Sequence, residues 1–458
     1  MRPFIIIGAL LVLFSCKKDR VNTSSSAALF TSSDTIKFDT VFTSLGSVTQ
    51  SFRIYNPNEE RLILSSIKLE GGSASSFTIN INGMPLSEAS QVEIAARDSI
   101  HVFVKVTIDP SISTLPFVIR DSISINYNGN VKLVQLESYG QNAVFIRDSV
   151  LTGINNWNNN LPYVILGSLR IDTTSTLNIQ AGSRIYLDAR ASFIVDGNLN
   201  ATGTETQRIS FLGNRLDEPY RNFPGTWAGL IFRNTSGTSS LKYCNILNAY
   251  QGIAVAGKIP SPFKLSLEQC VIDNCYDAGI VAVNANVSIS NTLISNCGSN
   301  LNILQGGNYL IEHCTMASYS NNFMEHTRSS VYVSDHLNIN GVPIVETLNA
   351  TFTNSIFWGE GGMVENEIST SRAGNNFNLT LNNCIYKATS DPEAVINNSI
   401  RNIDPQFDSI DAVNRYFDFH TSPFSPALDA GMPTSWPFDL DGNARNLTQP
   451  DIGCYEMQ

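Results

Sequence analysis

The sequence predicts an all-β chain: a β-sandwich followed by a parallel β-helix. Apolar residues alternate at period two through its first third, as in Ile100, Val102, Val104, Val106 and Ile108. That spacing marks strands with one buried face. Further on, a short strand motif returns at Cys244, Cys270, Thr292 and Cys314, spacings of 26, 22 and 22 residues, which is a solenoid period. Hydrophobic residues make up 42% of the 458 and charged residues 15%. Such a chain is neither disordered in bulk nor a charge-rich coiled coil. The net charge of −11 argues against a nucleic-acid partner.

Residues 1–16 carry Arg2, an apolar run over 4–14, and then Ser15-Cys16. This is the layout of a secretory signal, too short for a membrane span. The order Leu13-Phe14-Ser15-Cys16 resembles the lipobox of bacterial lipoproteins. The resemblance implies cleavage before Cys16 and lipidation of it, hence a membrane anchor through acyl chains. Residues 17–33 are small and polar, so a flexible tether is expected there. Lys17-Lys18-Asp19 resembles the export tags of other Gram-negative lipoproteins. The implied location is the outer membrane, facing the periplasm or the cell surface.

Residues 34–140 are expected to form the sandwich. Phe52 and Ile54, and Phe77, Ile79 and Ile81, continue the alternation. Asn128-Gly129 between Tyr127 and Val131 is a hairpin signal, because Gly accepts positive φ. About seven such runs suit two packed sheets. Phe52-Arg53-Ile54-Tyr55-Asn56, Leu62 to Ile67, Phe77, and Val104 to Asp109-Pro110 resemble the Ig-like family of abnormal-spindle and choice-of-anchor type. Such modules act as spacers or adaptors.

Residues 141–405 are expected to form the solenoid. Leu241-Lys-Tyr-Cys244-Asn-Ile246-Leu-Asn248 and Leu267-Glu-Gln-Cys270-Val-Ile272-Asp-Asn274 align position by position. So do Ile289 to Asn296 and Ile311 to Ser318, with weaker copies around Ser355 and Cys384. The apolar spacing of two excludes helical repeats. Cys244, Cys270, Thr292, Cys314, Ser355 and Cys384 are expected as one inward column of small side chains. Asn248, Asn274 and Asn296 are expected as an amide ladder at a turn, where Asn tolerates left-handed backbone. Leu177 to Ile185, Phe193-Ile-Val195-Asp-Gly197-Asn-Leu199, Ile209-Ser-Phe211 and Trp227-Ala-Gly229 resemble the right-handed parallel β-helix proteins. These include pectate lyases and surface proteins. Ser425-Pro426-Ala427-Leu428, Asp439-Leu-Asp441-Gly442 and Asp451-Ile452-Gly453 resemble the closing segment of that family, placed here at 406–458.

Two clusters stand out chemically. Glu325, His326 and Arg328 put an acid, a base and a cation in a stretch where the repeat register is lost, and irregular insertions on a scaffold carry function. The insertion 212–224 holds Arg215, Tyr220 and Arg221. Arginine forks suit uronate carboxylates and a tyrosine suits a sugar face. Residues 170–233 as a whole contain seven Arg and no Lys. Asp439-Leu-Asp441-Gly442-Asn443 opens like a calcium loop, but Pro450 stands where the closing carboxylate would, so a polar turn is expected. No Cys spacing fits zinc, and neither metal nor cofactor is expected. A disulfide between Cys275 and Cys297 stays open. The clustered Asp and Lys/Arg of a lyase, and the paired Asp of a pectin hydrolase, are missing from the sequence. The expected function is therefore a lipid-anchored envelope protein that contacts glycans or other surface partners without turnover. The alternatives are a polysaccharide lyase or hydrolase of the β-helix class, and a structural or adhesive surface protein.

Overall fold

The computed structural model describes residues 20–43, 46–81, 83–86, 88–109 and 117–458. The signal peptide and Cys16 lie outside the described residues. The chain divides into two compact units, between Asn142 and Ala143.

The first unit consists of two five-stranded sheets. One carries Gln50–Tyr55, Ser99–Val106 and Phe77–Ile81; the other carries Thr35–Phe42, Asn130–Gln141, Phe117–Tyr127 and Leu62–Leu69. The alternating residues do what their period requires. Phe52, Ile54, Val102, Val104 and Val106 share one buried cluster with Leu62, Leu64, Ile123 and Ile125. The hairpin turns at Asn128 and Gly129 with φ of 45° and 81°, the left-handed pair that suits the twist of the flanking strands.

The tether reading fails from residue 21 on. Val21 bridges Arg61, Phe30–Thr31 pairs with Gln50–Tyr55, and Ala27 and Leu29 are buried in the sandwich core. Two apolar side chains and a short strand outweigh the Ser-rich composition around them.

The second unit contains a parallel β-helix of 26 strands, each coil pairing in parallel with the next, the partner strand lying two, three or five places on. Three faces result. The first stacks Ser192–Val195, Leu230–Phe232, Gln251–Ala256 and Val331–Ser334, among others. The second stacks Thr176–Gln180, Asn198–Thr202, Ser239–Lys242 and Leu265–Glu268. The third stacks Ile209–Gly213, Cys244–Leu247, Val271–Asp273, Leu293–Ser295 and Thr315–Tyr319. Each coil leaves its apolar edge to the next, so the core is continuous. Ile246, Ile272, Ile294 and Met316 stand in direct register. The six Cys, Thr and Ser of the column are fully buried. Its hydroxyls accept from the coil before, Cys270 N donating to Thr292 Oγ1 at 3.3 Å and Cys314 N to Ser355 Oγ at 3.2 Å.

The segment after residue 405 covers the side of the solenoid, not its end. Residues just before the Cys column take left-handed backbone: Gln269, Asn291, His313, Asn354 and Asn383 have φ from 44° to 53°. Their side chains hold the segment coil by coil. Asn383 donates to Ala430 O, Asn354 donates to Met432 O and accepts from Met432 N, and His313 Nε2 meets Thr434 Oγ1. Gln269 donates to Asp439 O, and Arg445 Nε donates to Asn291 Oδ1. Asp439 is a turn former: its carboxylate accepts from the backbone N–H of Asp441, Asn443 and Glu456.

Candidate functional site

The two insertions meet in space. Phe223 of the first packs edge-on against Phe323 of the second, ring centroids 4.9 Å apart. Arg415 lies over the Phe323 ring at 4.6 Å and donates to Asn222 O. The turn asparagines seat the first insertion, Asn248 donating to Arg221 O and Asn274 to Asn222 O. Asn274 also donates to Asn248 Oδ1 at 2.7 Å, whereas Asn296 turns to Asp273 Oδ1 at 3.1 Å. The amide ladder thus has two rungs among these three.

Within the first insertion the arginines are engaged. Arg215 grips Asp217 with both sides of its fork, 2.7 and 2.8 Å, and lies over the Tyr220 ring at 4.2 Å. Arg221 Nε stands 3.3 Å from Glu218. A bidentate fork already on a carboxylate offers little to a second one. The Arg215 fork is thus taken up within the loop, while Arg221 makes one exposed contact and is 55% exposed. Tyr220 remains 45% exposed.

The second insertion does not assemble an acid, a base and a cation. Glu325 faces solvent, and His326 is 2% exposed. His326 Nε2 bonds to the buried Glu367 Oε1 at 2.8 Å, while Ser330 Oγ donates to Glu367 Oε2 at 2.8 Å. These bonds pin the insertion to the coils. Adjacent residues of an extended chain point opposite ways, so sequence neighbours do not converge here.

Arg328 goes elsewhere, and there a site forms. Tyr250 and Tyr276 occupy equivalent places on successive coils. Their rings stack at 5.7 Å and 28°, and they are 48% and 54% exposed. The next coil has Gly298 at that place; a Cβ there would collide with Arg328. Arg328 donates to Asp277 Oδ1 at 3.0 Å and to Asp277 O at 2.6 Å. Gln251 donates to Asp277 Oδ2 at 2.8 Å. Asp277 is thus fixed from both sides. Gly225, at the end of the first insertion, lies against the Tyr276 side chain. Beyond Arg328 a groove of about 450 Å³ continues between Ser299, Asn302, Thr327, Ser329, Tyr332 and Ser369.

The arrangement is a stacked, half-exposed tyrosine pair with polar groups along one side. Sequence reasoning reached Arg328 but missed Tyr250, Tyr276, Asp277 and Gln251. The signal was present: Asn248-Ala-Tyr250 and Asn274-Cys-Tyr276 repeat an aromatic two places after the turn asparagine.

No protein-family model matches the chain, and no curated protein matches it. Among solved structures it is similar to a family 123 glycoside hydrolase from Clostridium perfringens, with 12% identity and a TM-score of 0.19 over 28% of this chain. The chain spans about a quarter of that structure, 26%. It is also similar to PapD-like domain 7 of human CEP192, with 10% identity and a TM-score of 0.18, covering 31% of this chain and 97% of that one. A third is the catalytic unit of the GH87 alpha-1,3-glucanase from Streptomyces thermodiastaticus strain HF3-3. There the identity is 12% and the TM-score 0.26, over 76% of this chain and 85% of that one.

Proposed function

We propose that the protein is a lipid-anchored envelope solenoid that binds glycan chains without turning them over. The observation that carries this reading is the stacked, half-exposed pair Tyr250 and Tyr276. Pyranose rings present flat C–H faces, which pack on aromatic rings; Tyr and Trp give large contact area for little lost side-chain entropy. Coils repeat every ~4.8 Å, on the scale of successive sugars, so two tyrosines in one column meet two rings of one chain. Arg328, Asp277 and Gln251 supply donors and acceptors for the hydroxyls at its edge. Turnover is disfavoured because His326 is enclosed with Glu367. Anchoring at Cys16 and the outer-membrane location rest on the sequence alone.

The test is a glycan array read with the chain and with the Tyr250→Ala/Tyr276→Ala variant. Each lost stacking contact weakens binding by about 1 kcal/mol or more, so signals should fall at least about tenfold with the fold intact. An array blank for the parent, or unchanged by the variant, contradicts the reading.

A further inference from the structure

We propose a second, anion-binding site on the solenoid, away from the tyrosine pair, in which Arg170, beside Arg233, takes a carboxylate. They are the first and last of the seven arginines between residues 170 and 233. The fold brings them to one groove of about 540 Å³, lined also by Thr173, Asp196, Asn234 and Thr235. The groove follows the ends of first-face strands: Ser168 to Ile171 pair with Ser192 to Val195, and Phe193 to Val195 pair with Leu230 to Phe232.

Asp196 organises the pair. Its side chain is 3% exposed and is held by both sides of the Arg233 fork, Nε donating to Oδ1 at 2.7 Å and Nη2 to Oδ2, and by the Thr235 hydroxyl. Arg170 approaches the same carboxylate at 3.8 Å and Asp172 at 3.4 Å. The two guanidinium side chains stay 40% and 46% exposed. One buried carboxylate therefore fixes two cations whose outer edges face the groove. Behind them the fully buried Lys264 donates to Asn234 O and Ala256 O, at 3.1 and 2.7 Å. Arg170 and Arg233 face Asp172 and Asp196, so the two carboxylates here are balanced by two guanidinium groups. Planar donors fixed in advance select planar anions, and the ligand class is a carboxylate, carried by a uronate sugar or by a small organic acid. Arg233 is closed on Asp196 as Arg215 is on Asp217 and so positions that carboxylate, whereas Arg170, with contacts of 3.4 and 3.8 Å, keeps its fork open and carries the site.

The experiment is calorimetric titration of the full chain with trigalacturonate, with its methyl ester, and with citrate. The parent should prefer trigalacturonate to its ester at least about tenfold, since each charge-assisted hydrogen bond is worth about that factor. Arg170→Gln, whose contacts within the fold are long, should remove most of that preference and keep the melting temperature. Arg170→Gln/Arg233→Gln should weaken binding about a hundredfold. Tyr250→Ala/Tyr276→Ala should keep the ratio of acid to ester, which separates this site from the tyrosine pair. Citrate binding that falls with the same variants would assign the site to free carboxylates, and its absence to uronates. Equal affinity for acid and ester, no binding of any carboxylate, or a preference that survives Arg170→Gln would overturn the proposal.

Discussion

A single backbone condition recurs down the solenoid: the residue before each small inward side chain takes positive φ. Asn meets it at low cost because its short amide bonds locally. Tyr243, Gln269 and His313 meet it too, since neighbouring coils impose it. Asn354 tests what its side chain adds. Asn354→Gly keeps the backbone relaxed and removes both bonds to Met432. Urea unfolding should show a loss of about 1–3 kcal/mol; an unchanged midpoint would mean the segment docks by apolar contact alone. The seven described cysteines are free and buried, and burial pushes Cys384 up to about 12. Thiolate is the reactive form, so the native thiols should resist alkylation. In denaturant without reductant all seven should titrate, and a count of five would reveal a disulfide. His420 sits between Asp441 at 3.0 Å and Asp418 at 2.6 Å and stacks on Tyr455. The hydrogen bond to Asp441 is the largest cause that pushes it up to about 9. Its folded value exceeds the unfolded value of about 6.5. The stabilisation is therefore complete below about pH 6.5 and is lost as pH rises through about 9. The side chain is 42% exposed, so screening keeps the effect small. The melting temperature should drop slightly over that window, and His420→Gln should flatten the drop.

Strands and turns were far easier to read than contacts between segments. The inward column from Cys244 to Cys384 and the register of Ile246, Ile272, Ile294 and Met316 follow from repetition, because stacked coils ask the same size of side chain at each level. The left-handed turns at Asn248, Asn274 and Asn296 followed from residue type and have φ of 62°, 56° and 50°. The row that carries the C-terminal segment was hidden. Its residues are Gln, Asn, His, Asn and Asn, chemically mixed because each makes a different bond with that segment. The insertion 212–224 and the loss of repeat register between Ser318 and Phe352 are legible as breaks in the repeat. That Phe223 would meet Phe323 could not be read, because sequence distance says nothing of how many coils a loop spans. The same gap misplaced the chemistry. Arg215 and Arg221 stood beside acids in sequence and bind them in space, while Arg170 and Arg233, 63 positions apart (233 − 170), share a carboxylate.

At the scale of the molecule, the solenoid gives a rigid ruler on which outward side chains repeat at a fixed interval. A glycan chain also repeats, so weak contacts on successive coils add along one ligand, as linked sites do. The negative net charge opposes polyanions at long range, which leaves recognition to contacts such as the Tyr250–Tyr276 pair. Glycan capture on that pair without turnover is tested most directly with one oligosaccharide series of increasing length. Affinity for the parent and for Tyr250→Ala/Tyr276→Ala is measured by calorimetry, and reducing ends are counted after incubation with stoichiometric protein. The predicted result is affinity that rises with length in the parent, falls at least about tenfold in the variant, and leaves the oligosaccharides uncut. New reducing ends, or equal affinity in parent and variant, would contradict it.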